Sequence, residues 1–149
     1  EFSRQVMMPG FIVGVATALI GGQMIDKIGA KYAAAMGFFL CMASAAGMVW
    51  IVQDKSSLMW ANVVNLAGQA LVGVAAFPLL FIHAPADERG RVFGMIQFVR
   101  ASSAFAFTPL IGQLADHYKS YRPGYGVAAA LALIGLAAAL SVPSKSASG

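Results

Sequence analysis

Long apolar stretches broken by short polar clusters run the length of the chain. Charge-free runs cover 5–25, 32–53, 56–86, 92–115 with one interruption at Arg100, and 123–144. A hydrocarbon core of about 30 Å needs about 20 residues of helix at about 1.5 Å rise each, so every run is long enough to cross a bilayer. The runs are continuously apolar rather than alternating, which favours helices over barrel strands, because lipid offers the backbone no hydrogen-bond partner. The pattern predicts an all-α polytopic membrane helix bundle with five transmembrane helices near 8–25, 33–52, 58–82, 92–115 and 125–142. Turn chemistry supplies the expected ends. Pro9-Gly10 opens the first helix, residues 53–57 separate the second from the third, Arg122, Pro123 and Gly124 precede the fifth, and Pro143 closes it.

Composition turns this pattern into an exclusion. Hydrophobic residues make up 59% of the 149 positions and charged residues 11%, against about 25% charged in soluble domains. So few charges cannot cover the surface of a soluble fold, and the apolar excess would associate in water. Cys41 is the sole cysteine, so no internal disulfide forms, and its place in an apolar run suits a small buried thiol. The net charge of +4 is divided between both membrane sides, which argues against a nucleic-acid partner and for loops meeting lipid headgroups. The first run lacks a basic leader and a cleavage site, so it is not a signal peptide. A start at Glu1 and an odd number of spans lead us to expect one transmembrane domain over 1–149, a piece of a longer chain.

Two segments repeat. Residues 17–26 read TALIGGQMID and residues 108–116 read TPLIGQLAD, a match with a single gap. The copies lie three helices apart and therefore cross in opposite senses, as in the inverted-topology repeats of secondary transporters. Chance recurrence of small apolar helix ends closing on Asp is the plainer reading.

Between the first two helices stand Gly22, Met24, Asp26, Lys27, Gly29, Ala30 and Lys31. This segment resembles the loop signature of the major facilitator superfamily, Gly-x-Leu-x-Asp-Arg-x-Gly-Arg-Lys. Gly22, Asp26, Gly29 and Lys31 match, Lys27 replaces an Arg, Met24 replaces the Leu, and Ala30 loses an Arg. The signature joins the second helix to the third and, in a weaker copy, the eighth to the ninth; the lost Arg favours the weaker copy. The charged loop holding Asp87, Glu88, Arg89 and Arg91, and the following helix with Pro109, resemble what comes next in that family. The resemblance implies the eighth to twelfth helices of a twelve-helix transporter, with loops 26–31 and 83–91 and the C-terminus cytoplasmic, in a plasma or inner membrane. That side carries five basic residues, Lys27, Lys31, Arg89, Arg91 and Lys145, against Arg4, Lys55, Lys119 and Arg122 on the other. Placement as the second to sixth helices is the alternative. It is disfavoured because the third helix offers Asn62 and Asn65 where the family's fourth carries an Arg.

Polar residues inside the spans mark candidate chemistry. Arg100 is the one charge within a span, and a cost of about 2.5–3.5 kcal/mol near a helix centre should turn it toward protein or water. At about 100° per residue, Gln97, Arg100, Ala104 and Thr108 share a face that suits an anionic or hydrogen-bonding solute. Snorkelling of Arg100 to an interface stands beside this reading. Asn62, Asn65 and Gln69 form a second stripe, facing a cavity or gluing helices together. Gly10, Gly14, Ala18 and Gly22 recur every four residues as a packing ridge, with Ala33, Gly37 and Cys41 extending it on the second helix.

Nothing in the pattern supports an enzyme, a metal site or a cofactor: no phosphate-binding loop or Cys/His ligand spacing occurs, and His83 and His117 fall on opposite sides. The leading expectation is a secondary transporter of a small solute by alternating access, whose partners are the bilayer, the solute and the missing half of the transporter. In it Arg100, Gln97, Asn62, Asn65 and Gln69 line the substrate cavity, and Gly22, Asp26, Lys27, Gly29 and Lys31 form a conformational loop. A non-transporting membrane scaffold or assembly subunit is the rival; a small channel is disfavoured for want of a charge ring or carbonyl filter.

Overall fold

A computed structural model describes residues 2–51 and 54–143, leaving aside the side chains of 2–7, 55, 100, 103, 104 and 106–108. Among the described residues the chain forms five helices: α1 (Phe2–Ile28), α2 (Ala30–Trp50), α3 (Lys55–His83), α4 (Arg89–Tyr118) and α5 (Arg122–Ser141). Each apolar run has become one helix. Four are long and apolar enough to cross a membrane, over Met8–Ile28, Ala30–Trp50, Ser56–His83 and Arg122–Ser141. Here the expectation of five such spans is corrected. Helix α4 is thirty residues long, yet among the described residues it is not one of the four, for its apolar run 92–115 is interrupted by Arg100 and by the amides Gln97 and Gln113.

Burial is distributed as lipid would require. The buried set is dominated by Ala30, Ala33, Ala34, Ala35, Ala45 and Ala75, and among the described residues no large side chain is fully enclosed. Large apolar side chains point outward instead, with Leu19 75% and Phe105 86% exposed. In water such a surface would aggregate; in a bilayer, small residues inside let helices approach closely while large ones meet acyl chains.

The helix ends differ from expectation in instructive ways. Pro9 lies inside α1, which begins seven positions earlier at Phe2, so it does not open the helix. As the eighth residue of α1 it lies beyond the first four, whose N–H groups lack intrahelical acceptors, so it removes one bond of the helical ladder and favours a bend there. The turn into α2 is a single residue, Gly29, at φ 85°, a conformation open to glycine. Its N–H donates to the Ile25 carbonyl at 2.9 Å. Helix α3 starts earlier than expected because Asp54 and Ser57 form a capping box: the Asp54 carboxylate accepts the Ser57 N–H at 2.8 Å, and the Ser57 hydroxyl accepts the Asp54 N–H at 3.2 Å.

That cap makes a pH prediction. Hydrogen bonds from the Ser57 hydroxyl and N–H hold the Asp54 carboxyl below the usual carboxylate range. A depressed native pKa stabilises the folded state fully above the unfolded value of about 3.9, and the contribution is lost as pH falls through the native value. The Ser57 amide resonance should therefore titrate in acid, and Asp54→Asn, which keeps the acceptor, should abolish that titration while the helix start persists.

Glycines set how the helices meet. At the α2–α3 crossing, a Cβ on Gly37 would lie 2.8 Å from the Gly68 carbonyl oxygen, and one on Gly68 would lie 2.7 Å from that of Gly37. The two backbones are thus in direct contact, and Ser44 reinforces them by donating to the Ala61 carbonyl at 2.6 Å. Paired positions run in opposite order, so α2 and α3 are antiparallel. Gly135 on α5 likewise receives the Phe38 ring of α2. Against α3, α1 uses Gly10 beside Asn62 and Leu66, Gly14 beside Leu66, and Gly21 beside Leu71 and Val74. Gly22 has no such neighbour, so the expected ridge is corrected to Gly10, Gly14 and Gly21, with Ala18 half-buried between them. Four-residue steps drift by about 40° each, whereas the eleven residues from Gly10 to Gly21 return to within about 20° of one face.

Candidate functional site

Positions rise together along the α1–α3 seam, so these helices run parallel, and they cross as they rise. The α1 contacts on α3 begin at Asn62 and end at Leu71 and Val74, roughly 120–180° around the helix. Helix α1 thereby leaves the α3 face it first covered. Gln69, seven residues beyond Asn62, lies within about 20° of that same face and about 10 Å farther along, where α1 has moved away. Helix α4 stands opposite without filling the space: α1, α2, α3 and α5 form the close-packed body, and among the described residues α4 touches only α3 and α5. Its links are a stack of Phe93 on Phe77, ring centroids 5.2 Å apart, and a close approach of Ile111 to Gly124.

The result is a cavity of roughly 400 Å³ between α2, α3, α4 and α5. Gln69 and Gln97 both line it, facing in from α3 and α4. Cys41 of α2 adds a thiol, which donates to the Asn65 carbonyl at 3.8 Å. The remaining wall is apolar, with Phe38, Phe77 and Phe93 on three of its helices.

The two expected polar stripes therefore divide. Gln69 and Gln97 meet at one cavity, while Asn62 faces Gly10 of α1 at the helix seam and Asn65 presents its backbone to α2. Arg100 and Thr108 belong to α4, but their side chains lie outside the described residues. Gly73 also lines the cavity and has no neighbour where a side chain would begin.

The loop residues gather at one end of the bundle. Asp26 and Lys27 are exposed on the last turn of α1, beyond Gly22, and Lys31 follows Gly29 with its ammonium 5.9 Å from the centre of the Tyr32 ring. A carboxylate at a helix C-terminus opposes the helix dipole, so Asp26 is not placed there for local stability. Both repeat copies end alike, Asp26 two residues before the end of α1 and Asp116 two before the end of α4.

On the next turn at that end, sequence reading missed a clamp. Arg89 donates from Nη2 to the Phe81 carbonyl at 3.0 Å and from Nε to the Ala84 carbonyl at 3.4 Å, with its guanidinium 5.0 Å from the centre of the Phe81 ring. These carbonyls close α3, where the helix leaves acceptors unsatisfied and a cation is favoured. A basic residue soon after a helix end was the available signal. Among the described residues no group of three or more His, Cys, Asp or Glu comes together.

Comparison with known proteins adds one family. The model of the Major Facilitator Superfamily matches residues 3–108, more than two thirds of the chain. A search of curated proteins finds no match.

Proposed function

The chain belongs to the Major Facilitator Superfamily, a family of membrane transporters, and on that premise we propose that it is part of a secondary transporter carrying a small solute by alternating access. The observation that carries this reading is the cavity between a close-packed four-helix body and a loosely attached α4, with Gln69 and Gln97 turned into it. Alternating access needs such an element: one wall that can move while the rest stays rigid. Asn62 and Asn65 flank the path at the α1 and α2 contacts, and Arg100, just beyond Gln97 on α4, hands a hydrogen-bonding group of the solute toward the cavity. A guanidinium serves a neutral carbonyl as well as an anion, since it offers five N–H donors.

Asp26, Lys27, Gly29 and Lys31, with Gly22 behind them, are the conformational loop. Exposed charges on a one-residue turn, with Asp26 set against the dipole of its own helix, suit contacts made and broken with the other half of the transporter. The weak form of the loop signature, with Ala30 where an Arg is usual, supports placement as the eighth to twelfth helices, α4 being the eleventh span. Loops 26–31 and 83–91 and the C-terminus are then cytoplasmic, in keeping with Lys27, Lys31, Arg89 and Arg91 gathering at that end. A scaffold would consume its polar side chains in helix contacts, as Asn62 does, whereas Gln69 and Gln97 are held open.

Reconstituted in proteoliposomes and screened against radiolabelled neutral and anionic solutes, the full-length protein should accumulate at least one class. Arg100→Ala should then lower that uptake by about tenfold or more, the worth of a charge-assisted hydrogen bond, with Arg100→Lys falling between. Unchanged uptake in Arg100→Ala at normal expression overturns the role of Arg100, and no uptake of any solute by the unaltered protein overturns transport.

A further inference from the structure

Three phenylalanine rings reach the cavity from three helices, Phe38 from α2, Phe77 from α3 and Phe93 from α4. Each is held in place by the protein itself. Phe38 packs against the alanine core and fills the space that Gly135 leaves on α5, while Phe77 and Phe93 stack on each other at an interplanar angle of 30°. Stacking does not use them up, for Phe77 remains 46% exposed. Rings fixed beforehand spare a ligand much of the ordering entropy of binding. At roughly 400 Å³ the chamber falls within the usual range for small molecules, about 300–1,000 Å³.

We infer that this chamber seats the aromatic ring system of a solute against Phe38, Phe77 and Phe93, with a hydrogen-bonding substituent of that ring held by Gln69 and Gln97. Applied to transport, the inference rests on the reading above and names its solute class. Area burial alone does not select an aromatic ring. A saturated ring system of the same skeleton carries more hydrogens and more apolar surface, so by burial it should bind at least as tightly. An aromatic ring meeting another edge-on or in an offset stack adds a quadrupole interaction that a saturated ring lacks, worth about twofold to tenfold in affinity per ring pair. An aliphatic lining would have served an acyl chain equally well; rings converging from three helices favour the aromatic occupant. Each carboxamide supplies N–H donors and a carbonyl acceptor, so a donating or an accepting substituent finds a partner. Phe93 rides on the loosely attached α4 and Phe38 on the close-packed body, so a ring touching both ties the movable wall to the rest.

The test compares an aromatic ligand with its saturated twin. The full-length protein in lipid nanodiscs is dialysed to equilibrium against radiolabelled naphthalene carboxamide or decalin carboxamide, with empty nanodiscs subtracting what the lipid takes up. Naphthalene carboxylate and decalin carboxylate repeat the comparison with a charged substituent. The members of each pair differ only in the ring system, so whatever Arg100 contributes cancels. In every pair that binds, the aromatic member should bind about tenfold more tightly. Phe77→Leu combined with Phe93→Leu keeps the wall apolar and should erase most of that preference. Gly73→Trp, which fills the chamber, should remove the binding.

Equal or tighter binding of the saturated members, as an acyl-type occupant would give, overturns the inference. So does saturable binding of none of the four, a preference that survives in the double variant, or binding that survives in Gly73→Trp. The comparison within each pair uses unaltered protein and does not depend on a variant folding. Ring preference without uptake of any solute in proteoliposomes would uphold the site and remove the transport reading; uptake confined to non-aromatic solutes would do the reverse.

Discussion

Gly68→Leu is expected to leave no correctly folded protein. The Cβ alone would sit 2.7 Å from the Gly37 carbonyl oxygen, 2.8 Å from Cys41 Sγ and 3.0 Å from the Cys41 backbone nitrogen. Two of these neighbours are backbone, and α2 cannot yield at one point without shifting its whole contact with α3. Adding methylenes to a packed core costs about 1–3 kcal/mol where side chains can adjust; here four carbons enter a place where main chain meets main chain. Against a total stability of about 5–15 kcal/mol the pair cannot form. Size-exclusion chromatography in detergent should show aggregate in place of a monodisperse peak. Gly47→Ala on α2, where no atom lies within 4 Å of the new methyl, should elute normally. A monodisperse Gly68→Leu protein would show that the backbone contact does not hold the helices together.

Gly73→Trp, five residues farther along α3, should have the opposite character: intact fold and abolished uptake. No atom lies within 4 Å of a Cβ at Gly73, and the position opens into the roughly 400 Å³ cavity. An indole there takes up space without displacing backbone, so elution should match that of the unaltered protein. It also fills the chamber between Gln69 and Gln97 and props α4 away from α3, which blocks both solute entry and closure. Uptake should fall to background, with Cys41 in the same preparation shielded from N-ethylmaleimide. Normal uptake by well-folded Gly73→Trp would mean that solute does not pass through this chamber.

Gly68 and Gly73 look alike in the sequence, two glycines in one apolar run, and this marks the limit of what periodicity reveals. Five helices were legible because sixteen charges fall almost wholly between the runs and lipid allows few other structures. The ends of α3 and α5, expected at 82 and 142, fall at His83 and Ser141, whereas the turn between α1 and α2, expected to span residues 26–32, is Gly29 alone. The start of α3 was legible in principle, since Asp54 followed three residues later by Ser57 is a capping-box spacing, yet the loop was read as longer than it is. Gly22 was assigned to the packing ridge by counting in fours. The true helical period carries the seam to Gly21, and only a partner helix shows where that seam lies.

The candidate site was half legible. Gln69 and Gln97 were recognised as polar residues needing a partner or a cavity, and they do line one. Asn62 fitted the same periodic argument and went elsewhere, because α1 covers α3 at Asn62 and has crossed away by Gln69. Phe38, Phe77 and Phe93 carry no signal in the sequence, for no spacing within one helix reveals that three rings from three helices meet. The Arg89 clamp was hidden for a similar reason: a charged loop residue announces solvent, not the carbonyls it will find at Phe81 and Ala84.

The sequence by itself determined the solvent, the number and approximate bounds of the helices, and the loop that marks the family. Those properties depend on local hydropathy and on spacing along one chain. Only the tertiary structure decided which polar groups share a chamber, which glycines carry a seam and which leave an opening. Those outcomes depend on the angle at which helices cross, and close contacts between residues far apart in the chain, such as Gly37 with Gly68, set that angle.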